Sequence, residues 1–198
     1  MPAVRGRPRS FDRDWALQRL LDVFWSRGYE GAQISDLTAA IGVAPPSFYA
    51  AFGSKEAAFR EAVDLYIATV GAGPMRALED GPTVREGLRA MLEGSIDVAL
   101  SNRSGGCLLI LGVVSSLPAS DNPREHLLRA RCKTLALIRD RLERARDTGD
   151  LPPEADPAQL AAFYHGIMQA ISFQARDGAS RDALQALIDP ALAALGPA

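Results

Sequence analysis

Apolar residues recur along this chain at helical spacing. Leu17, Leu20, Leu21 and Phe24 stand at i, i+3, i+4 and i+7, which puts them on one side of a helix. Asp12 is placed to cap that helix and Gly28 to stop it. A second, short helix is predicted over 35–41, with Leu37 and Ile41 inward and Gly42 at its end. Pro45 or Pro46 opens a third, because a first-turn proline lacks only an N–H that the helix would not use. Gly53 ends it. Ser54 caps a fourth helix that carries Phe59, Val63 and Ile67.

After a break at Gly71–Pro74 the helical patterns lengthen. One covers 83–100, with Leu88, Met91, Leu92, Ser95, Ile96 and Ala99 on one side. Gly105 and Gly106 precede a very apolar helix up to Leu117. A loop at 118–123 leads to a helix over 124–148, whose inner stripe is Leu128, Cys132, Leu135, Ile138 and Leu142. Helices over 158–176 and 181–195 complete about nine. No segment alternates with period two, so the class is all-α. The division expected is a flexible basic arm at 1–10, a three-helix domain at 11–54 and a larger helical domain at 55–198.

Charge changes this picture. The net charge of the 198 residues is only −2, yet residues 1–60 hold eight basic against six acidic groups and residues 61–198 hold fourteen against eighteen. A basic front and an acidic back suit a nucleic-acid module joined to something else. The arm carries Arg5, Arg7 and Arg9, a composition with little use in a purely structural bundle. No secretory leader is apparent in MPAVRGRPRS, and the run Cys107–Val114 is far too short to span a bilayer. A cytoplasmic location with reduced thiols is expected, and no membrane partner.

The stretch IGVAPPSFYAAFGSKEAAF (Ile41–Phe59) has the layout of a helix-turn-helix, with a glycine turn between its second and third helices. If Leu37, Ile41, Phe48 and Phe52 pack on Leu20, Leu21 and Phe24, then Ser47, Tyr49, Ala50 and Ala51 remain outside. Such a small, uncharged face fits closely into a major groove, with Tyr49 or Ser47 reaching a phosphate. The alternative is a plain three-helix unit in which Tyr49 closes the core.

Residues Phe11–Phe59 resemble the DNA-binding domain of the TetR family of bacterial transcriptional repressors. RGYEG (Arg27–Gly31), ISDLTAAIGV (Ile34–Val43) and SFYAAFGSKEAAF (Ser47–Phe59) carry the likeness, and the nine-helix plan extends it over the chain. The resemblance implies a homodimer that reads a palindromic operator on double-stranded DNA. It implies a C-terminal domain that dimerises and holds a small-molecule inducer. By position, Tyr49 matches the family's phosphate-holding tyrosine and Lys55 its lysine at the start of the fourth helix. Thr38 lies on the helix that crosses the backbone. Pro45, Pro46, Ser47, Ala50 and Ala51 hold recognition positions. Three departures stand out: Ala44 replaces a polar cap, Pro45 a frequent basic residue, and Gln33 a threonine.

The back half shows no HExxH, CxxC, nucleophile elbow or phosphate loop, so neither enzyme activity nor a cofactor or metal is expected. His165 reads as an interior or interface residue and His126 as exposed. Phe163, Ile167, Ile171, Leu184, Leu187, Ile188 and Leu192 are expected at a dimer interface, as half of an intermolecular four-helix bundle. Met91, Ser95, Cys107, Leu111, Met168 and Phe173 are expected to line an inducer pocket. Cys107 admits two readings. GGCLLILG places it at a helix N-terminus, where the dipole lowers a thiol pKa, and the GC-Leu stretch is similar to a subgroup that includes electrophile-responsive repressors. Alternatively it is a small packed residue. The rival functions are an architectural DNA-binding protein without inducer and, further off, a helical small-molecule-binding protein or enzyme.

Overall fold

The chain is described by a computed structural model over residues 12–103, 105–112 and 122–196. The basic arm with Arg5, Arg7 and Arg9, and the end of the helix expected up to Leu117, lie outside those residues.

Helix α1 (Arg13–Gly31) begins where the Asp12 carboxylate accepts from the N–H groups of Asp14 and Trp15 at 3.0 and 3.1 Å. Such a cap contributes about 1 kcal/mol. Gly28 leaves helical geometry at φ 68° and ψ 177°, the stop that its position predicts. Helix α2 (Ile34–Ile41) ends on left-handed Gly42. Helix α3 (Pro45–Phe52) starts on Ala44, which makes no side-chain cap. In α4 (Lys55–Ala68) the Ser54 hydroxyl accepts from Ala57 N–H at 3.0 Å.

These four helices share one core. Leu20, Phe24, Leu37, Phe48 and Phe59 are fully buried in it, each contributing about 2 kcal/mol. Phe24 and Phe59 meet edge to face with centroids 5.1 Å apart. The core extends along α4 to Tyr66 and takes in Leu108 and Leu127 from the back half.

A second core fills the back half. It is built on α6 (Val84–Ser101), which opens with a reciprocal cap between Thr83 and Glu86. The stretch read as a break before it contains a helix, α5 (Ala72–Asp80). Pro74 falls in its first turn, where a missing N–H is harmless. Helix α7 (Leu108–Leu111) is a single turn closed by Gly112. Helix α8 (Asn122–Asp147) and helix α9 (Pro157–Arg176) pack side by side. The last predicted helix is two pieces, α10 (Arg181–Gln185) and α11 (Ile188–Leu192), followed by a 3-10 turn. Pro190 explains the division: it has no N–H for the Ala186 carbonyl one turn back.

The inner stripe of α8 differs from the expected one. Ile138 and Leu142 are buried, but Leu128 and Cys132 are exposed and Leu127 is buried instead. The front of α8 faces α4 and α7 while its rear faces α6 and α9, so no single stripe serves its whole length.

One loop joins the two cores. Gly105 and Gly106 take φ of +70° and +78°, a region costly for any residue with a Cβ. They press the chain onto α9. A Cβ on Gly106 would stand 2.0 Å from Leu111 Cδ1 and 2.8 Å from the Ser172 carbonyl oxygen. Gly106→Ala is therefore expected to destabilise the fold by about 2 kcal/mol or more. Gly149→Ala, at φ +80° with nothing within 4 Å, should lose only about 1 kcal/mol. Urea denaturation of the two variants measures the difference; equal losses would remove the packing argument.

Candidate nucleic-acid interface and effector cavity

The short helix α3 buries Phe48 and Phe52 and leaves Pro45, Pro46, Ser47, Tyr49 and Ala50 exposed. Tyr49 stands edge to face against Phe48 at 5.5 Å, so its base is anchored while its hydroxyl remains outside. The face carries no carboxylate, and nothing on it repels a phosphate. Lys55, at the first position of α4, holds its Nζ 4.5 Å from the Tyr29 ring centroid. Burial lowers its pKa and Glu30 partly opposes that. Arg13 sits beside the same unit but is engaged, paired with Glu61 at 2.8 Å and stacked 4.9 Å over the Phe52 ring. Arg27 is likewise paired with Asp36 at 2.8 Å.

Thr38 stands differently from its expected role. It is buried, and its hydroxyl donates to the Ile34 carbonyl at 2.9 Å, so the side chain packs α2 against the core instead of facing outward. Gln33 is exposed, and its backbone N–H is held by Asp36 Oδ2 at 2.9 Å. The start of α2 is thus satisfied without the threonine. The start of α3 is not capped, as Ala44 implies.

Behind this unit lies a cavity of about 50 Å³. Tyr66 and Gly71 wall it on the α4 side, and Pro74 and Met75 come from α5. Ser95 and Val98 come from α6, and Cys107, Leu109 and Ile110 from the α7 segment. Arg131 and Thr134 face it from α8; His165, Met168 and Ser172 face it from α9. The cavity lies among the five segments to which the sequence points, with α5 added.

Of the expected lining, Ser95, Cys107 and Met168 are in place. Met91 is fully buried in the core. Leu111 packs beside Gly106, and Phe173 is 53% exposed on the outer side of α9. None of these three reaches the cavity, because α7 is one turn long and α9 offers it only the face of His165, Met168 and Ser172. Tyr66, Arg131, Thr134, His165 and Ser172 are the polar lining residues that sequence reading missed. Single polar groups inside apolar stripes were their only signal.

Cys107 is tied down from three directions. Its N–H donates to Ser172 Oγ at 2.7 Å. Its sulfur accepts from the Tyr66 hydroxyl at 3.0 Å. The preceding carbonyl, of Gly106, accepts from Trp25 Nε1 at 2.7 Å, and Trp25 meets the Tyr66 ring edge to face at 4.9 Å. Burial pushes the thiol pKa up, against smaller opposing effects of the Tyr66 hydroxyl, the Leu109 and Ile110 N–H groups and Arg131. The expected lowering by a helix dipole does not prevail, since α7 has too few peptides to sum one. Burial also raises the Tyr66 pKa. The His165 pKa is shifted down, by burial and then by Arg131, which favours its neutral form.

His126, read from the sequence as exposed, is half-buried: its Nε2 lies 2.7 Å from Asp64 Oδ1 and ties α8 to α4. Among the described residues no group of three or more metal-ligating side chains exists, and no helix is long and apolar enough to cross a membrane.

The expected interface residues divide. Ile171, Leu184, Ile188 and Leu192 are buried in the chain's own core, because α10 and α11 fold back on α6. Ile167 and Leu187 are half-buried. Phe163 is 41% exposed. Gly166 and Phe173 on α9, and Leu128 and Cys132 on α8, are exposed as well.

The profile of bacterial regulatory proteins of the tetR family matches residues 17–62, and that of the tetracyclin repressor-like C-terminal domain matches residues 85–193. The HTH-type transcriptional repressor ComR of Escherichia coli is 32% identical over 182 residues, 91% of this chain and 87% of ComR. The uncharacterized HTH-type regulator YezE of Bacillus subtilis is 29% identical over 96% of this chain and 99% of its own. A cysteine-substituted form of the TetR family regulator CifR, solved with 26-base-pair operator DNA, is 42% identical. It superposes with a TM-score of 0.90 over 96% of this chain and 100% of its own. E. coli NemR in its reduced form, 24% identical, shares the fold at a TM-score of 0.70. Two domain matches that together span the three-helix unit and most of the back half show that this chain belongs to the tetR family of bacterial regulatory proteins.

Proposed function

We propose that this protein is a homodimeric transcriptional repressor whose α3 reads a palindromic operator and whose cavity holds the molecule that releases it. The uncovered, carboxylate-free face of α3 carries this reading, together with the likeness of 96% of the chain to a regulator bound to operator DNA. Pro45, Pro46, Ser47 and Ala50 are assigned to the groove, where apolar contact and close approach do the reading. Tyr49 and Lys55 are assigned to phosphates. The arm supplies the positive charge that α3 lacks, since Arg5, Arg7 and Arg9 precede the capped start of α1. A second copy covers the exposed apolar residues of α8 and α9, and two recognition helices then address successive major grooves.

Release follows from the cavity walls. Tyr66 belongs both to the cavity and to the core beneath α3. A cavity of about 50 Å³ is smaller than the roughly 150 Å³ that admits benzene, so a larger guest displaces a wall. Displacement of Tyr66 or the Cys107 segment moves α4 and α1 through the Trp25 contact. The ligand thereby favours a state with misplaced recognition helices, by its differential affinity for the two states. Covalent capture at Cys107 is a second reading, favoured by its place on the cavity wall.

The primary test is selection of duplexes from a random pool, with an enriched palindrome expected. An unenriched pool would overturn the reading. On that operator Tyr49→Phe should weaken binding about three- to tenfold, equally across sequences. Replacing Arg5, Arg7 and Arg9 by Gln removes two sets of three charges from the dimer and should reduce the salt slope by up to about 5. An unchanged slope removes the arm from the contact.

Trp25→Phe keeps the ring packing and deletes the bond to Gly106. It should leave operator affinity within a few-fold and reduce ligand-driven release about fivefold or more. Undiminished release would exclude this route.

The raised thiol pKa sets a pH dependence. The protonated form of Cys107 is favoured in the folded state, so its thiolate appears only above the ordinary cysteine range. Alkylation by iodoacetamide near pH 7 should therefore mark exposed Cys132 first, with Cys107 following only at more alkaline pH. Peptide mass mapping reads the order; Cys107 modified first at pH 7 would reverse the assignment.

A further inference from the structure

We propose that the effector taken by this cavity is a small organic acid: an apolar body with a carboxylate or comparable anionic head held by Arg131. This rests on the reading of the cavity as the effector site.

The cavity wall contains neither Asp nor Glu, and its one permanently charged side chain is Arg131. Arg131 Nη1 donates to the Leu109 carbonyl at 2.7 Å. Among the described residues no carboxylate pairs with it. A guanidinium has five N–H donors in a planar fork, so the geometry that fixes Arg131 leaves donors for an anion. His165 adds one more. Its Nδ1 lies 3.3 Å from the Gln169 amide nitrogen, which can only donate. That contact suits the tautomer in which Nδ1 accepts and the ring proton sits on Nε2. Met75, Val98, Leu109, Ile110 and Met168 supply the apolar part of the wall, while the hydroxyls of Tyr66, Ser95, Thr134 and Ser172 are engaged in hydrogen bonds within the protein.

The approach has the same sign. A cleft of about 540 Å³ between α5 and α8 shares Gly71, Met75, Leu109 and Thr134 with the cavity as a common wall. Its charged groups are Arg76, Lys133, Arg144 and Glu79, of which Arg144 and Glu79 form an ion pair. Arg76 and Lys133 have no carboxylate partner among the described residues. The cleft behind that wall therefore carries a surplus of positive charge in a part of the chain whose overall balance is acidic. Such a local reversal steers anions and repels amines. Burial sharpens the preference inside, because a desolvated cation facing an uncharged or cationic guest remains uncompensated.

The test uses full-length protein without DNA and three matched probes: hexanoate, methyl hexanoate and hexylamine. Calorimetric titration is expected to give at least about tenfold tighter binding of hexanoate than of the ester or the amine. Arg131→Gln should abolish that preference and Arg131→Lys should retain part of it. If Arg131→Gln does not fold, the double change Arg76→Gln and Lys133→Gln should slow hexanoate association and flatten its salt dependence. Equal or tighter binding of the ester or amine, preference surviving in Arg131→Gln, or no binding by any probe would overturn the proposal. Operator release is measured separately. Hexanoate bound with the operator still held would sustain the ligand class and refute release by this cavity.

Discussion

The bond from Trp25 Nε1 to the Gly106 carbonyl, at 2.7 Å, is the joint on which the rest of the structure turns. It is buried, it closes a sequence separation of 81 residues, and it fastens the first helix to a segment that also touches α9 and the cavity. A buried indole N–H without a partner would be strongly unfavourable, so the two glycines that bring the carbonyl within reach are as necessary as the tryptophan. Ser172 secures the same segment from α9, and Tyr66 secures it from α4. The two cores are thus connected by specific polar contacts and not merely by apolar area. An apolar contact tolerates sliding; a directional bond has made and broken states, and a switch needs both.

The two ends of the molecule face opposite electrostatic tasks. The α3 face is small and uncharged, while nearby Arg13 and Arg27 are held in ion pairs. Shape and apolar contact dominate there, and long-range attraction has to come from elsewhere in the chain. The cavity is the reverse case. Its volume is small, but it contains a cation, a histidine whose neutral form is favoured and a thiol kept protonated by burial. A low-dielectric site magnifies each of these groups, so discrimination there is set by charge and hydrogen bonding.

Much of the helix-turn-helix was legible because local rules and tertiary packing agree. Asp12, Gly28, Gly42, Gly53 and Ser54 all stand where caps and stops are needed. The long patterns of α6 and α9 were equally plain. Local signals misled where one residue serves two environments. Pro74 reads as a breaker yet sits harmlessly in a first turn. Pro190 lies inside a helical pattern and divides it. Leu128 and Cys132 continue an apolar stripe, but α8 changes partners midway and leaves them outside. Thr38 occupies a position that the family resemblance turns toward DNA, and here its hydroxyl is held by the helix backbone.

The sequence by itself determined the helical class, the two-part division of charge, and which face of α3 remains uncovered. The charge division is a matter of residue identity alone, and the other two follow from periodicity and capping, which act within a few residues. Tertiary structure alone decided what lines the cavity and how it is coupled. Tyr66, Cys107, Arg131 and His165 come from four separate helices, and no spacing in the chain encodes their meeting. The state of Cys107 was also a tertiary outcome. A helix start suggests a reactive thiolate, but the helix is one turn long and the sulfur lies in the interior. Desolvation therefore outweighs the dipole.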